Sequence, residues 1–223
     1  MRRCGSCRRA LKGWRLSKPW LMLALLLLGV APSNPVLALE PPRPVKSLLE
    51  MRHDRVAIQN WDLSCGAAAV ATVLNYQYDD PVPERDIAKG LIGRDKYLDN
   101  PSLVQQQEGF SLADLKNYVD ARGYTGIGYG QLELEHLIDR APIIVPIRAT
   151  GYNHFVVFRG VQGNRVLLAD PAWGNRTLTI DEFEDEWIRY REFGRVGFVV
   201  AQKDGMLPPN HLAPRSDDFV FLR

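Results

Sequence analysis

Four residues in this chain have the types and spacing that nucleophilic catalysis needs: Gln59, Cys65, His154 and Asp170. Cys65 opens the small-residue run Cys-Gly-Ala-Ala-Ala-Val-Ala, six residues after Gln59. His154 begins the apolar run His-Phe-Val-Val-Phe, and Asp170-Pro171 follows sixteen residues later. A thiolate attacks a carbonyl carbon and a thiol scarcely does; free cysteine, with a pKa near 8.5, is only a few per cent ionised near neutrality. Unpaired N–H groups and the partial positive charge at a helix N-terminus favour the anion. A neighbouring imidazolium favours it further. Cys65 has the first by position, and His154 can supply the second. Asp170 can then hold the tautomer and orientation of the histidine. Attack on an amide also creates an oxyanion that needs donors, and the Gln59 side chain with the backbone N–H of Cys65 can provide them.

Each residue taken alone has a plainer reading. Cys65 can be a buried small hydrophobe, His154 a satisfied strand histidine and Asp170-Pro171 a strand-ending turn. Taken together, in the order Gln, Cys at a helix start, His at a strand start and Asp at the end of the next strand, they point to a functional site. His53, His136 and His211 have no similar setting, and His136 is expected on the surface. No ligands cluster at metal spacing, so neither a metal site nor a cofactor is expected.

The elements that must position these groups can be read from pattern. Residues 64–76 read as a helix, capped by Asp62 or Ser64, whose alanines allow close packing on a sheet. Glu84–Leu91 reads as a second helix, and Ser111 caps a third with Leu112, Leu115, Tyr118 and Val119 at helical spacing, ending at Gly123. Residues 93–109 read as an irregular loop, of the kind that often forms a lid. The period then changes. Strands are expected at 143–147, 155–160, 165–169, 177–180 and 195–201, with an amphipathic helix over 181–190. Helices first and antiparallel strands later make an α+β fold, with a cleft where the thiol-bearing half meets the His/Asp half.

The hairpin register decides whether His154 meets Asp170. A Val161-Gln162-Gly163 loop puts His154 opposite Asp170, on one face with Val156, Phe158, Val166 and Leu168. That register also sets Arg159 unfavourably against Arg165. A two-residue Gly163-Asn164 turn separates the pair.

Residues 1–18 carry seven basic residues and no acidic one; an apolar run, Trp20–Val30, and the small-residue pattern Val36-Leu37-Ala38 follow. This is the pattern of a secretory signal peptide; the apolar run is shorter than a membrane span wants. An uncleaved N-terminal anchor is the competing reading. Residues 1–38 therefore read as a signal peptide, 39–46 as a proline-rich linker, 47–203 as the catalytic domain and 204–223 as a C-terminal tail. The expected location is the periplasm. Without the signal, 21 basic residues face 26 acidic ones, a net charge of −5. Nothing basic then argues for nucleic acid, and there is no phosphate-binding loop for ATP. Cys4 and Cys7 leave with the signal, so Cys65 becomes a lone thiol in an oxidising compartment.

Gln59, Cys65-Gly66-Ala67, His154-Phe-Val-Val and Asp170-Pro171-Ala-Trp-Gly174 resemble the motifs of the C39 peptidases, papain-like domains that process bacteriocin leaders. Gly109–Leu115 is similar to the family's second segment. The likeness covers about residues 50–200. It implies a papain-like fold with a helical half on an antiparallel sheet. It also implies cleavage after a Gly-Gly pair in a leader, with Cys65 as nucleophile, His154 as general base and acid, Asp170 orienting and Gln59 as oxyanion donor. Ser64 stands where members often carry Asp, and the transporter and ATPase parts are missing from this sequence. As an exported, stand-alone form it resembles the C39-like peptidases of functional-amyloid (Fap) secretion systems, which implies amyloid subunits or the secretion machinery as partners. A client-binding module that does not cut and a hydrolase of peptidoglycan peptides are the alternative functions.

Overall fold

The structure, a computed structural model, describes residues 46–93, 100, 102–106, 109–149, 151–216 and 218. The segment read as a signal peptide, nearly all of the proline-rich linker and parts of the expected 93–109 loop lie outside the described residues. A short helix, α1 (Leu48–Arg52), opens the described chain with a Ser47/Glu50 capping box. Then come α2 (Cys65–Gln77), α3 (Glu84–Ile92), the single turn α4 (Leu103–Gln106) and α5 (Leu112–Ala121). Strand β1 (Thr125–Tyr129) and helix α6 (Leu134–Arg140) lead into β2 (Ile143–Ala149), β3 (Tyr152–Gln162), β4 (Arg165–Asp170) and β5 (Gly174–Thr179). Helix α7 (Ile180–Glu186), the small pair β6 (Arg189–Tyr190) and β7 (Gly194–Arg195), and β8 (Gly197–Ala201) follow. No helix among the described residues is long and apolar enough to cross a membrane.

The six main strands form one antiparallel sheet in the order β1-β8-β2-β3-β4-β5. Its two faces are buried in different cores. On one side α2, α3 and α5 cover Ile144, Val157, Ala169 and Phe198 through Ala67, Val70, Leu74, Ile87 and Leu115. On the other, Leu137 of α6 and Phe183 and Trp187 of the α7 region pack on Val145, Ile147, Val156, Phe158, Val166 and Leu168. This is the α+β architecture the sequence implies. Helix α2 is buried nearly all round because its first seven residues are small, and Ala67, Ala68, Ala69 and Ala71 are all 0 % exposed. Small side chains let the helix approach the sheet closely, which fixes the position of Cys65 at its first turn.

The hairpin of β3 and β4 corrects the expected register. Its turn is Gly163-Asn164, with Gln162 paired to Arg165 and Gly160 to Leu167; Gly163 has φ 57°, as a tight two-residue turn requires. Continued unchanged, that register would put His154 and Asp170 on opposite faces. A bulge at Arg159 intervenes, so Phe158 pairs with Leu168 and Val157 with Ala169. The extra residue restores the parity. His154 and Asp170 share a face as diagonal neighbours rather than as a direct pair. The expected Arg159/Arg165 opposition does not occur, because Arg159 is the bulged residue.

The segment after Asp204, read from the sequence as a tail, runs back over this bulge. The fully buried Arg159 donates from Nε to the Leu212 carbonyl at 2.8 Å and from a terminal nitrogen to Asn175 Oδ1 at 2.6 Å. Asn210 donates to the Arg159 carbonyl at 2.9 Å, and His211 N–H to Gln77 at 2.9 Å. Leu212 is completely buried.

Candidate active site

Helix α2 begins at Cys65 with its first turn uncapped. Ser64 occupies the N-cap position but makes no side-chain cap; its hydroxyl donates instead to the Trp61 carbonyl at 2.8 Å. Asp62, the other expected cap, has its carbonyl contacted by Gln59. The N-terminal N–H groups and their partial positive charge are thus left for the thiol and for whatever approaches it. Cys65 is 4 % exposed and unpaired.

His154 stands on β3, 3 % exposed, hydrogen-bonded to Asp170 and lining the same cleft as Cys65. Its Nε2 lies 2.7 Å from Asp170 Oδ1, so Nδ1 is the nitrogen left for the thiol. Asp170, at the end of β4, is fully buried and has a donor on each oxygen. Oδ1 also accepts from the Ala172 N–H at 2.9 Å, and Oδ2 accepts from Arg176 Nε at 2.9 Å. Burial opposes charge on the imidazole, but the hydrogen bond and charge of Asp170, with a smaller contribution from the neighbouring Cys65, outweigh it and raise His154 from 6.5 to about 9. Burial likewise opposes ionisation of Asp170, while His154, Arg176 and the Ala172 N–H together hold its carboxyl below the usual 3.8.

The turn that follows Asp170 depends on Gly174. Its φ is 84°, and a Cβ there would lie 2.5 Å from the Arg52 carbonyl oxygen. Pro171 in that turn accepts a hydrogen bond from the Gln59 backbone N–H at 2.9 Å, which ties the loop before Cys65 to the turn after Asp170.

The structure therefore brings Cys65, His154 and Asp170 together and places Gln59 in the loop beside them. The Gln59 side chain points into its own loop: Nε2 donates to the Trp61 carbonyl at 3.0 Å and contacts that of Asp62 at 3.4 Å. Its Oε1 is buried and accepts no hydrogen bond among the described residues. An exchanged amide would set oxygen against two carbonyls, so this orientation is fixed by its neighbours. His136 caps α6 through Nδ1 at 3.0 Å, and it is exposed as expected.

Cys65 and His154 line a cleft of about 200 Å³ walled by Phe110, Ser111, Leu112, Pro146, Asn153, Phe155 and Tyr190. This is below the roughly 300–1,000 Å³ of sites that enclose a drug-sized ligand. Ser111 belongs there because it caps α5 in a capping box with Asp114, which brings the start of that helix to the cleft. Arg176 is the functional neighbour that sequence reading missed. The signal was the pairing of β4 with β5: Leu168 faces Arg176, which sets Arg176 diagonal to Asp170 on the same face.

A buried thiol at a helix start, sharing a cleft with a histidine that is held by a carboxylate, on a helical layer packed against an antiparallel sheet, defines the class of papain-like cysteine hydrolases. Residues 54–191 match the peptidase C39 family, and the chain belongs to that family of cysteine peptidases. Two curated relatives, from Pseudomonas aeruginosa and Pseudomonas fluorescens, are each named "Probable functional amyloid protease FapD". They are 37% and 36% identical to this chain over 145 and 144 residues, 64% of this chain in both cases. The matched region covers 61% of the length of both relatives. Among solved structures, a double glycine motif protease from an AMS/PCAT transporter, in complex with its leader peptide, is 26% identical with a TM-score of 0.51. It aligns over 66% of this chain and 90% of its own. The peptidase domain of Streptococcus ComA, 18% identical with a TM-score of 0.52 over 67% of this chain and 99% of its own, shares the fold.

Proposed function

We propose that the protein is an exported cysteine endopeptidase that cuts a secreted protein, or a leader segment of one, at a small-residue, glycine-bearing site. The observation that carries this reading is the buried line Cys65–His154–Asp170 opening into a narrow cleft. In the first half-reaction the Cys65 thiolate adds to the scissile carbonyl carbon. The oxyanion is met by the Cys65 backbone N–H and by Gln59, which exchanges its weaker contact to Asp62 for this one. The His154 imidazolium passes its proton to the leaving nitrogen as the C–N bond breaks, leaving a thioester on Cys65. Neutral His154 then takes a proton from water, which attacks the thioester; the acid leaves as the thiolate is expelled, and the thiolate–imidazolium pair is restored. Asp170 keeps Nδ1 aimed at sulfur throughout.

The narrow cleft favours a backbone with small side chains at the bond that is cut. The relatives named as functional amyloid proteases support a secreted amyloid subunit, or a component of its secretion machinery, as client. The basic and apolar residues 1–30 support export to the periplasm. The test is to purify wild type and Cys65→Ala from the periplasm and to follow secreted proteins of the producing cell by mass spectrometry. A client cut only by wild type supports the reading. An uncut secretome, with Cys65→Ala fully functional in cells, supports a client-binding module instead, and release of wall peptides would support a peptidoglycan hydrolase.

A further inference from the structure

We propose that Arg176, braced by Glu186, is a positioning residue that fixes the plane of the Asp170 carboxylate and through it the aim of His154. The inference deepens the peptidase reading and rests on it for its kinetic arm. Three successive strands carry the row. His154 on β3 lies diagonal to Asp170 on β4, as the pairing of Val157 with Ala169 requires, and Asp170 lies diagonal to Arg176 on β5. The hydrogen bonds follow the same line: His154 Nε2 to Oδ1 at 2.7 Å, then Arg176 Nε to Oδ2 at 2.9 Å. A terminal nitrogen of Arg176 continues it to Glu186 Oε2 at 3.2 Å, at the end of α7. Arg176 is the only donor to Oδ2 among the described residues.

A carboxylate held by one oxygen can swing about its terminal bond. Held at both, it has one plane, and so one direction from which Oδ1 receives the imidazole N–H. The planar guanidinium is suited to this because it donates to two carboxylates at fixed angles, which a lysine ammonium does not. The Arg176 side chain is 25% exposed and that of Glu186 29%, while that of Asp170 is wholly buried. Removing the arginine therefore leaves a buried oxygen without its partner, and the carboxylate is held at Oδ1 alone, by His154 and the Ala172 N–H, about which its plane can tilt. Electrostatics and positioning predict opposite signs for one observable. A nearby cation disfavours the imidazolium, so loss of its charge alone would raise the His154 titration midpoint. Loss of alignment weakens the Asp170 hydrogen bond and lowers that midpoint.

The experiment compares full-length wild type with Arg176→Gln, Arg176→Lys and Glu186→Gln. Two readouts are taken: NMR titration of the His154 ring, and turnover of a fluorogenic peptide carrying a Gly-Gly pair before the reporter. The expected result for Arg176→Gln is a kcat lower by roughly 10- to 100-fold, KM within about twofold of wild type and a lowered His154 midpoint. Arg176→Lys should recover only part of kcat, and Glu186→Gln should show the same pattern more weakly. An unchanged or raised His154 midpoint in Arg176→Gln overturns the proposal, as does full activity in Arg176→Lys. If wild type leaves the peptide uncut, that result counts against the peptidase reading alone, and the His154 midpoint still decides the role of Arg176.

Discussion

Replacing Asp170 by Asn should discharge His154 at neutral pH, and the size of the effect follows from the buried hydrogen bonds. In the native protein the imidazole titrates at about 9 against an ordinary 6.5. That difference corresponds to about 3 kcal/mol in favour of the charged ring. Burial works against the charge, so the neighbours supply more than the net effect, and Asp170 contributes more than Cys65. Asp170→Asn should therefore bring the midpoint to 6.5 or below, and at pH 8 the charged fraction should fall from about 90% to about 3% or less. Cys65→Ala should lower the midpoint by less. The chain has only four histidines, so the rings can be followed singly by NMR on labelled protein, with His154→Ala making the assignment. Stability should move with the titration. Because folding raises its pKa, His154 contributes a stabilisation that is complete below about 6.5 and disappears as the pH climbs through about 9. Thermal midpoints of wild type should fall between pH 7 and 9.5, and those of Asp170→Asn should fall less. A His154 midpoint near 6.5 in wild type, or one that Asp170→Asn leaves in place, would refute this account of the site.

Gln59→Ala should lower kcat by about 10²- to 10³-fold, as loss of an oxyanion donor does elsewhere, with the thermal midpoint nearly unchanged; an unaltered rate removes Gln59 from the chemistry. Arg159→Met strands the Leu212 carbonyl and Asn175 Oδ1, now bonded at 2.8 and 2.6 Å. It should destabilise the protein by about 3 kcal/mol in denaturant titration. Amide-exchange protection over residues 209–214 should fall at the same time, and retained protection there would show that the segment is held by something other than Arg159.

The helical half was legible in the sequence because its signals are local. The run of small residues after Cys65, the Ser111 cap and the leucines at helical spacing act within a few residues of one another, and α2, α3 and α5 lie where those signals put them. The hairpin was harder for a physical reason. Alternation of apolar residues gives the face of each side chain but not its partner, and a bulge of one residue is invisible to it. The expected three-residue loop and the observed two-residue turn with a bulge lead to the same parity, so His154 and Asp170 meet by a route the sequence did not show. Strand β1 was missed because its Thr-Gly-Ile-Gly-Tyr residues carry a weak strand preference, and its place beside β8 is set by a partner about 70 residues away. Arg176 was missed for the same kind of reason: only the pairing of β4 with β5 aims it at Asp170.

The bulge at Arg159 also gives the molecule a clock. Arg159 is held by residues 210 and 212, about 50 positions further along the chain. Synthesis delivers the chain from its N-terminus, so Cys65, His154 and Asp170 all arrive before the segment that holds the kink between the last two. That segment packs on the bulge that gives β3 the register in which His154 meets Asp170. Cys65 is thus made well before the stretch that braces the strand carrying His154.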